Sequence, residues 1–150
     1  LLCSLSAGTI NRSEEKYKAP VIEKITDAAT IMVVEDDPIN MLLISEVLRK
    51  MGFDIIKASN GKQALEILPK YEPVLIFMDV NMPEMDGYTT TRFIRQLPEP
   101  HCGIPVIALT ADAMAGDREK CIAAGMNDYV TKPFRIEEIE TVLKNRTLLV

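Results

Sequence analysis

The chain has 150 residues, of which 47% are hydrophobic, and a formal net charge of -5. This length and apolar content predict one folded domain with a full core. The acidic balance, and an aromatic content of 5% without tryptophan, argue against direct binding of nucleic acid. No apolar run approaches the roughly 20 residues that a transmembrane helix needs, so we expect no membrane span in this fragment.

The first 29 residues show no sustained hydrophobic period. We interpret residues 1–29 as a linker or an expression-derived tail, with the end of a helix from an upstream domain as the alternative. The chain starts with Leu1 rather than methionine, which indicates a fragment or a processed product. Residues 30–146 are predicted to form the domain, and residues 147–150 a short tail.

Five apolar runs alternate with five segments of helical period along the rest of the chain. The first run ends in acidic residues, after which Asp37 and Pro38 are typical of an N-cap and a first helical position. Asp112 is expected to cap the fourth helix, which extends through Ala124 and is closed by Gly125. The predicted strands are residues 31–34, 53–58, 74–78, 104–109 and 128–131.

Apolar residues at helical spacing predict which side of each helix is buried. Consecutive parallel strands need long right-handed crossovers, so the alternation predicts a parallel sheet with helices on both faces. The residues expected to face the core are Ile44, Val47, Leu48 and Met51 in the first helix, Thr90, Phe93, Ile94 and Leu97 in the third, and Ile136, Ile139 and Leu143 in the last.

The cysteines and the single histidine do not form a site by their spacing. Cys3, Cys102 and Cys121 lack metal-ligand spacing, and we expect Cys121 to pack in the core. This cysteine usage suits a reducing, cytoplasmic compartment. With His101 as the only histidine, the sequence offers no zinc cluster and no histidine on a helix that could carry a phosphoryl group.

Polar side chains stand where four of the predicted strands end. They are Glu35 with Asp36, Asp79, Thr110 and Lys132. The carboxyl ends of parallel strands share one edge of a sheet, so we expect these groups to converge. Clustered carboxylates repel and need a cation, and oxygen ligands without histidine or cysteine favour Mg2+ or Mn2+.

A metal-held carboxylate beside an ammonium group is typical of phosphoryl transfer. Asp79 would be the nucleophile and form an acyl phosphate, while Lys132 and Thr110 contact the phosphoryl oxygens. Each residue alone has a plain explanation, because Thr110 can be a strand-end hydroxyl and Lys132 a solvated charge. Their coincidence at separate strand ends is what favours the phosphoryl-transfer site.

Four motifs identify a family. They resemble the response-regulator receiver domain of two-component signalling, over about residues 30–146. The resemblance implies an α/β, flavodoxin-like, doubly wound (βα)5 parallel sheet with strand order 2-1-3-4-5. The motifs are Val33-Val34-Glu35-Asp36-Asp37-Pro38-Ile39-Asn40, Met78-Asp79-Val80-Asn81-Met82-Pro83-Glu84-Met85-Asp86-Gly87, Ala108-Leu109-Thr110-Ala111 and Tyr129-Val130-Thr131-Lys132-Pro133-Phe134.

The resemblance assigns a role to each residue of the acidic site. Asp79 is the expected phospho-acceptor, phosphorylated by a histidine phosphodonor with Mg2+ (or Mn2+) bound. Asp36 and Asp79 are the expected direct metal ligands, with Glu35 acting through a water. The backbone carbonyl of Asn81 completes the metal site.

The resemblance also assigns a conformational switch. The hydroxyl of Thr110 is expected to move toward the phosphoryl group while the ring of Tyr129 turns inward. Lys132 is expected to contact the phosphoryl group, and the family implies a cis bond before Pro133. Slow self-dephosphorylation is expected, with Asn81 and Asp112 flanking the path of the attacking water.

The partner implied is a histidine kinase or a histidine-containing phosphotransfer domain. The motifs are most similar to receivers of hybrid sensor histidine kinases, and a free-standing single-domain regulator is the alternative. A pseudo-receiver that only binds partners is a second alternative, and a phosphatase-type hydrolase is a third. We expect a cytoplasmic location for this domain, with a membrane-anchored parent protein as one option. The family also implies a weak homodimer as one oligomeric state.

Three apolar residues of the first helix, Ile39, Met41 and Leu42, lie beyond its predicted core stripe. Extra core packing is the favoured explanation. Docking of a helical, histidine-containing phosphodonor is the functional alternative.

Overall fold

A five-stranded parallel sheet organises the computed structural model, which describes residues 28–111 and 115–148. The spatial order β2-β1-β3-β4-β5 confirms the order that the resemblance implied. Every neighbouring pair of strands is parallel. The strands are β1 Thr30–Val34, β2 Asp54–Ala58, β3 Leu75–Asp79, β4 Val106–Thr110 and β5 Asp128–Thr131.

A helix follows each strand, as predicted, and three of the helices begin at a side-chain cap. Asp37 Oδ1 accepts a hydrogen bond from Ile39 N–H at 2.8 Å, and Asp86 Oδ1 accepts one from Thr89 N–H at 2.8 Å. Asn60 caps the second helix in the same way. The expected cap Asp112 lies outside the described residues. The helices are α1 Pro38–Lys50, α2 Gly61–Ile67, α3 Gly87–Arg95, α4 Ala115–Ala124 and α5 Ile136–Asn145.

The sheet is buried on both faces, which explains its nearly uninterrupted apolar runs. In β1, Ile31 and Val33 point toward α1 and α5, whereas Met32 and Val34 point toward the helices of the other face. Cys121 of α4 is buried in that second layer, as predicted. None of the helices in the described ranges has the length and apolar character that crossing a bilayer requires.

The predicted core face of α3 was partly wrong. Phe93 is 45% exposed, whereas Thr90 and Thr91 are fully buried beside Ile94. Each threonine hydroxyl donates to the carbonyl four residues earlier, at 2.9 Å for Thr90 and 2.8 Å for Thr91. Because their hydroxyls are satisfied within the helix, the threonines can be buried without an unpaired polar group.

The predictions for two other helices also need correction. Ile136 is 53% exposed because it is the first residue of α5, and Val142 is buried instead. In α1, Met41 packs in the core, but Ile39 and Leu42 are 68% and 54% exposed. The favoured core-packing explanation therefore holds only for Met41.

Candidate functional site

Four strands deliver the polar groups to one edge of the sheet, as the topology requires. Glu35 directly follows β1, Asp79 is the last residue of β3 and Thr110 is the last residue of β4. Lys132 directly follows β5, and its N–H donates to the carbonyl oxygen of Thr110 at 2.8 Å. The predicted convergence of these residues is therefore present in the structure.

The ammonium group of Lys132 lies between two carboxylates. Its Nζ is 3.1 Å from Glu35 Oε1 and 3.2 Å from Asp79 Oδ1. Carboxylate oxygens of Glu35, Asp36 and Asp79 all lie within 4.8 Å of one another. Glu35 is buried, Asp79 is 2% exposed, and Asp36 reaches solvent. The cluster is thus open on one side only.

Backbone amides orient the two buried carboxylates. Asn81 N–H donates to Asp79 Oδ1 at 3.0 Å, and Asp37 N–H donates to Glu35 Oε2 at 3.2 Å. These amides belong to the loops that leave β3 and β1, so the loop conformation holds the side chains in place. Such hydrogen bonds to a charged acceptor favour one orientation of each carboxylate.

The cluster perturbs the ionisation of Asp79. Burial raises the pKa of Asp79 from 3.8 to about 7, and the neighbouring Glu35 and Asp36 act in the same direction. The hydrogen bond from Asn81 and the charge of Lys132 lower this pKa, but they do not offset the other effects. A negative charge on Asp79 is therefore unfavourable in this cluster unless a cation binds there too.

Lys132 cannot neutralise the cluster alone. Burial favours a lower pKa for Lys132, but the adjacent Asp79 and Glu35 outweigh it, and its pKa is raised. Three carboxyl groups face one ammonium group, so acidic groups outnumber cations in the cluster. The buried Glu35 Oε1 has the ammonium group of Lys132, 3.1 Å away, as its ion-pair partner. Hard oxygen donors and a surplus of acidic groups over cations both fit a small divalent cation.

Gly87 allows α3 to approach the backbone at the end of β3. Its N–H donates to Val80 O at 3.1 Å. A Cβ at this position would lie 2.3 Å from the carbonyl oxygen of Asp79 and 2.8 Å from Val80 Cα. Backbone atoms cannot rotate away from such a contact, so only glycine allows this approach.

We expect Gly87→Ala to lower the free energy of unfolding by about 2–3 kcal/mol, because the added methyl group forces α3 away from β3. Urea denaturation measures the change. Gly116→Ala in α4 is the matched control, since no atom lies within 4 Å of its added Cβ. That variant should be neutral or more stable by up to about 1 kcal/mol. Equal stability of the two variants would contradict the close-approach argument.

The structure does not bring every predicted site residue to the acidic cluster. Tyr129 lies within β5 opposite Ala108 and lines a groove of about 590 Å³ between α4 and α5, together with Arg118 and Glu137. The side chain of Asn81 is exposed in the loop after β3. Asp112, the other residue expected near the attacking water, lies outside the described residues.

Several further residues shape the site. The Lys132–Pro133 bond is cis, as the resemblance implied. Three residues were not predicted to matter to the site: Gly87 contacts the backbone of Asp79, and Arg95 and Asn127 hold the start of β5. Only the approach of distant backbone segments makes these residues important, and no local pattern marks them.

An exposed apolar surface lies beside the acidic cluster on α1. We define the α1 patch as Ile39, Leu42 and Leu43, all of which are exposed. A cavity of about 150 Å³ adjoins it, lined in part by Leu43, Phe134 and Ile136. Surface apolar residues that cluster in this way are typical of a contact for another protein.

Comparisons with known proteins agree on one family. The family model of the response regulator receiver domain matches residues 31–144. The chain is 41% identical over 124 residues to the signal transduction histidine-protein kinase BarA of Escherichia coli (strain K12). That match covers 83% of this chain but only 13% of the kinase.

Two solved structures are similar at the level of the fold and the sequence. The first is the receiver domain of sensor histidine kinase PA1611 from Pseudomonas aeruginosa PAO1, with a magnesium ion coordinated in its active site cleft. It has 41% identity and a TM-score of 0.72, over 79% of this chain and 96% of that one. The second is the receiver domain of Ssk1 in complex with the histidine phosphotransfer protein Ypd1 of Saccharomyces cerevisiae. It has 28% identity and a TM-score of 0.71, over 78% of this chain and 88% of that one.

Proposed function

The chain belongs to the response regulator receiver domain family, and from this premise we propose that Asp79 accepts a phosphoryl group from a phosphohistidine donor. The observation that carries the proposal is the position of Asp79: it ends β3, is almost fully buried, and lies 3.2 Å from Lys132 and beside two further carboxylates. A structural ion pair alone would need only one of those carboxylates. The surplus of acidic groups over cations supports a site that binds a cation and then an anionic phosphoryl group.

The cation that we propose is Mg2+, with Mn2+ as a chemically similar substitute. Asp36 and Asp79 would bind it directly, Glu35 would act through a water, and the backbone carbonyl of Asn81 would complete the protein ligands. Once bound, the metal would neutralise charge that develops on the transferred group. The acidic cluster and the similarity to a magnesium-bound receiver support this assignment.

The transfer step follows from the residues at the strand ends. A carboxylate oxygen of Asp79 attacks the phosphorus atom of the donor, a P–O bond forms, and the P–N bond to the donor imidazole breaks with its electron pair left on nitrogen. The ammonium group of Lys132 and the hydroxyl of Thr110 stabilise the phosphoryl oxygens. The product is an aspartyl phosphate, which stores the signal.

Phosphorylation would then shift a conformational equilibrium. We propose that Thr110 moves toward the phosphoryl group and that the ring of Tyr129 turns inward from the groove between α4 and α5. Asn81 and Asp112 would flank the water that slowly hydrolyses the aspartyl phosphate. The domain would thus phosphorylate and dephosphorylate itself, without turnover of an external substrate.

The partner that we propose is a histidine kinase or a histidine-containing phosphotransfer domain, as in the similar complex of yeast proteins. The similarity to kinases that carry receivers favours a hybrid kinase as the parent protein over a free-standing regulator. Its location would be the cytoplasm or the cytoplasmic side of a membrane. Residues 1–29 would be a linker, and a weak homodimer is a secondary proposal.

The α1 patch is the proposed docking surface for that donor. The double variant Ile39→Ser/Leu42→Ser should slow transfer from a phosphorylated phosphotransfer domain by about tenfold or more, because both side chains lose apolar contact area. Phosphorylation by acetyl phosphate should be unchanged, since this small donor needs no docking. Quench-flow sampling with separation of the phosphorylated proteins measures the two rates.

Phe93→Ser is the matched control for docking, because Phe93 is a similarly exposed apolar residue on α3, at the other face of the sheet. Met41 is unsuitable as a test position, because its side chain is buried and a serine there would disturb the core. If the α1 double variant slows both donors equally, docking is not the explanation.

The deciding experiment is the intact mass of the chain after incubation with acetyl phosphate, with Mg2+ or with EDTA. We expect one phosphoryl adduct that requires the metal. An adduct that forms equally in EDTA would contradict the proposed metal site. A folded chain that neither binds Mg2+ nor forms an adduct would favour the pseudo-receiver.

A further inference from the structure

The side chains of Arg95 and Asn127 hold the start of β5. They lie at the amino-terminal ends of the strands, whereas the acidic cluster lies at the carboxyl ends. Asn127 Oδ1 accepts hydrogen bonds from Val106 N–H and from Arg95 Nη2, each at 2.9 Å. Asn127 N–H donates to Val106 O at 2.8 Å. Asn127 therefore pairs with both backbone groups of the first residue of β4.

Arg95 joins this point to the rest of the fold. From the C-terminal end of α3, its Nε donates to Gly125 O at 2.9 Å. Its Nη1 donates to Cys102 O at 2.9 Å and to Ile104 O at 2.7 Å. One guanidinium group thus holds the segments that enter β4 and β5, in a fork geometry that lysine cannot reproduce.

The strand held in this way is poorly fixed by its own packing. β5 has four residues, stands at the edge of the sheet and pairs with β4 alone. Of its side chains only Val130 is fully buried, so the hydrophobic pattern specifies the register weakly. Fixed bonds at the end of the strand can supply the missing specificity.

The register of β5 decides where Lys132 stands. Thr131 pairs with Thr110, and Lys132 follows at once with its Nζ between Glu35 and Asp79. A slip of one residue would move Lys132 by about 3.3 Å and reverse the side on which it projects. Either change would remove the ammonium group from the two carboxylates.

We propose that Arg95 and Asn127 form a register clamp that positions Lys132 for phosphoryl transfer. The clamp lies at the amino-terminal ends of β4 and β5, and Lys132 lies at the carboxyl ends of the strands. The inference rests on the proposed phosphorylation of Asp79. Both are positioning residues, since neither touches the reacting atoms. The clamp acts on β5, whereas the carboxylates that would bind the metal stand on β3 and in the loop after β1.

This separation gives the test, carried out on the full chain with acetyl phosphate as donor. Asn127→Ala should lower the initial rate of adduct formation by about tenfold or more, as expected of a displaced catalytic group. Affinity for Mg2+ should be retained or increased, because the ammonium group of Lys132 leaves the two carboxylates. Asn127→Asp should keep the rate, because a carboxylate oxygen accepts the same two hydrogen bonds.

Arg95→Lys should slow adduct formation in the same way, whereas Arg92→Lys should not, because Arg92 is an exposed residue of the same helix. A double-mutant cycle separates positioning from general destabilisation. In a Lys132→Gln background, Asn127→Ala should cause no further loss of rate. Urea denaturation of each variant sets conditions under which all are folded.

Three outcomes would overturn the clamp. The first is a normal rate for Asn127→Ala in a chain that is otherwise phosphorylated. The second is full additivity with Lys132→Gln, and the third is a parallel loss of Mg2+ affinity. A folded wild-type chain that neither binds Mg2+ nor forms an adduct would overturn the proposed function itself, and the inference with it.

Discussion

Asp79→Asn should abolish the phosphoryl adduct that the wild-type chain forms with acetyl phosphate and Mg2+. The amide of asparagine has nearly the shape of the carboxylate but lacks the nucleophilic, negatively charged oxygen. It also removes one proposed ligand of the metal, so two requirements of the reaction fail together. Intact mass after a fixed incubation measures the result.

Asp37→Asn is the matched control for this substitution. It removes one negative charge from the same edge of the sheet, and asparagine caps α1 as well as aspartate does. This variant should form the adduct at close to the wild-type level. An adduct that survives in Asp79→Asn would place the acceptor elsewhere in the chain.

The Asp79→Asn chain should also remain folded, which a denaturation curve in EDTA can establish. Burial and like charges disfavour the ionised Asp79. Without metal, the free energy of unfolding of the variant should therefore equal that of the wild type or exceed it by up to roughly 1 kcal/mol. Mg2+ should stabilise the wild type more than the variant, since a ligand stabilises only the state that binds it.

Lys132→Gln should lower the initial rate of adduct formation by about a hundredfold, the usual cost of losing one preorganised charge at a transferring group. Glutamine can still donate a hydrogen bond, but it cannot neutralise the phosphoryl oxygens. Affinity for Mg2+ should be retained or increased, because the variant loses a positive charge that lies within 3.2 Å of two carboxylates. Rate measurements at saturating Mg2+ separate the two effects.

Lys57→Gln serves as the control for charge alone. Lys57 is exposed and lines a shallow cavity with Glu35 and Asp36, so its removal also takes a positive charge from the neighbourhood of the site. We expect a change of less than about threefold, because exposed charges are screened by solvent. Equal losses in the two variants would mean that Lys132 acts through the general field rather than by contact.

The order of elements could be predicted because it depends on local patterns. The buried runs of β1, β3 and β4 are apolar whichever helix covers them, and the cap at Asp37 satisfies a backbone group of its own helix. The convergence of Asp79 with Lys132 could also be predicted, because parallel strands bring their carboxyl ends to one edge. These inferences need the topology but no side-chain positions.

The errors occurred where packing chooses between neighbouring residues. The pattern in α3 is compatible with burying either Phe93 or Thr91, and the hydrogen bond from Thr91 to Gly87 O lets the smaller, polar residue be the buried one. Ile136 has helical spacing to Ile139 but stands at the end of α5, where there is little to cover it. Periodicity identifies the apolar side of a helix, but it does not decide which residues at the border of that side are buried.

The family, the alternation of strands and helices, and the polar residues at the strand ends could be predicted from the sequence, because each depends on contiguous residues. How those residues act on one another depends on the three-dimensional fold. The raised pKa of Asp79, the contact of Gly87 with its backbone and the clamp at Asn127 all join segments far apart in the chain. Their physical basis is distance, burial and hydrogen-bond geometry, which no local pattern encodes.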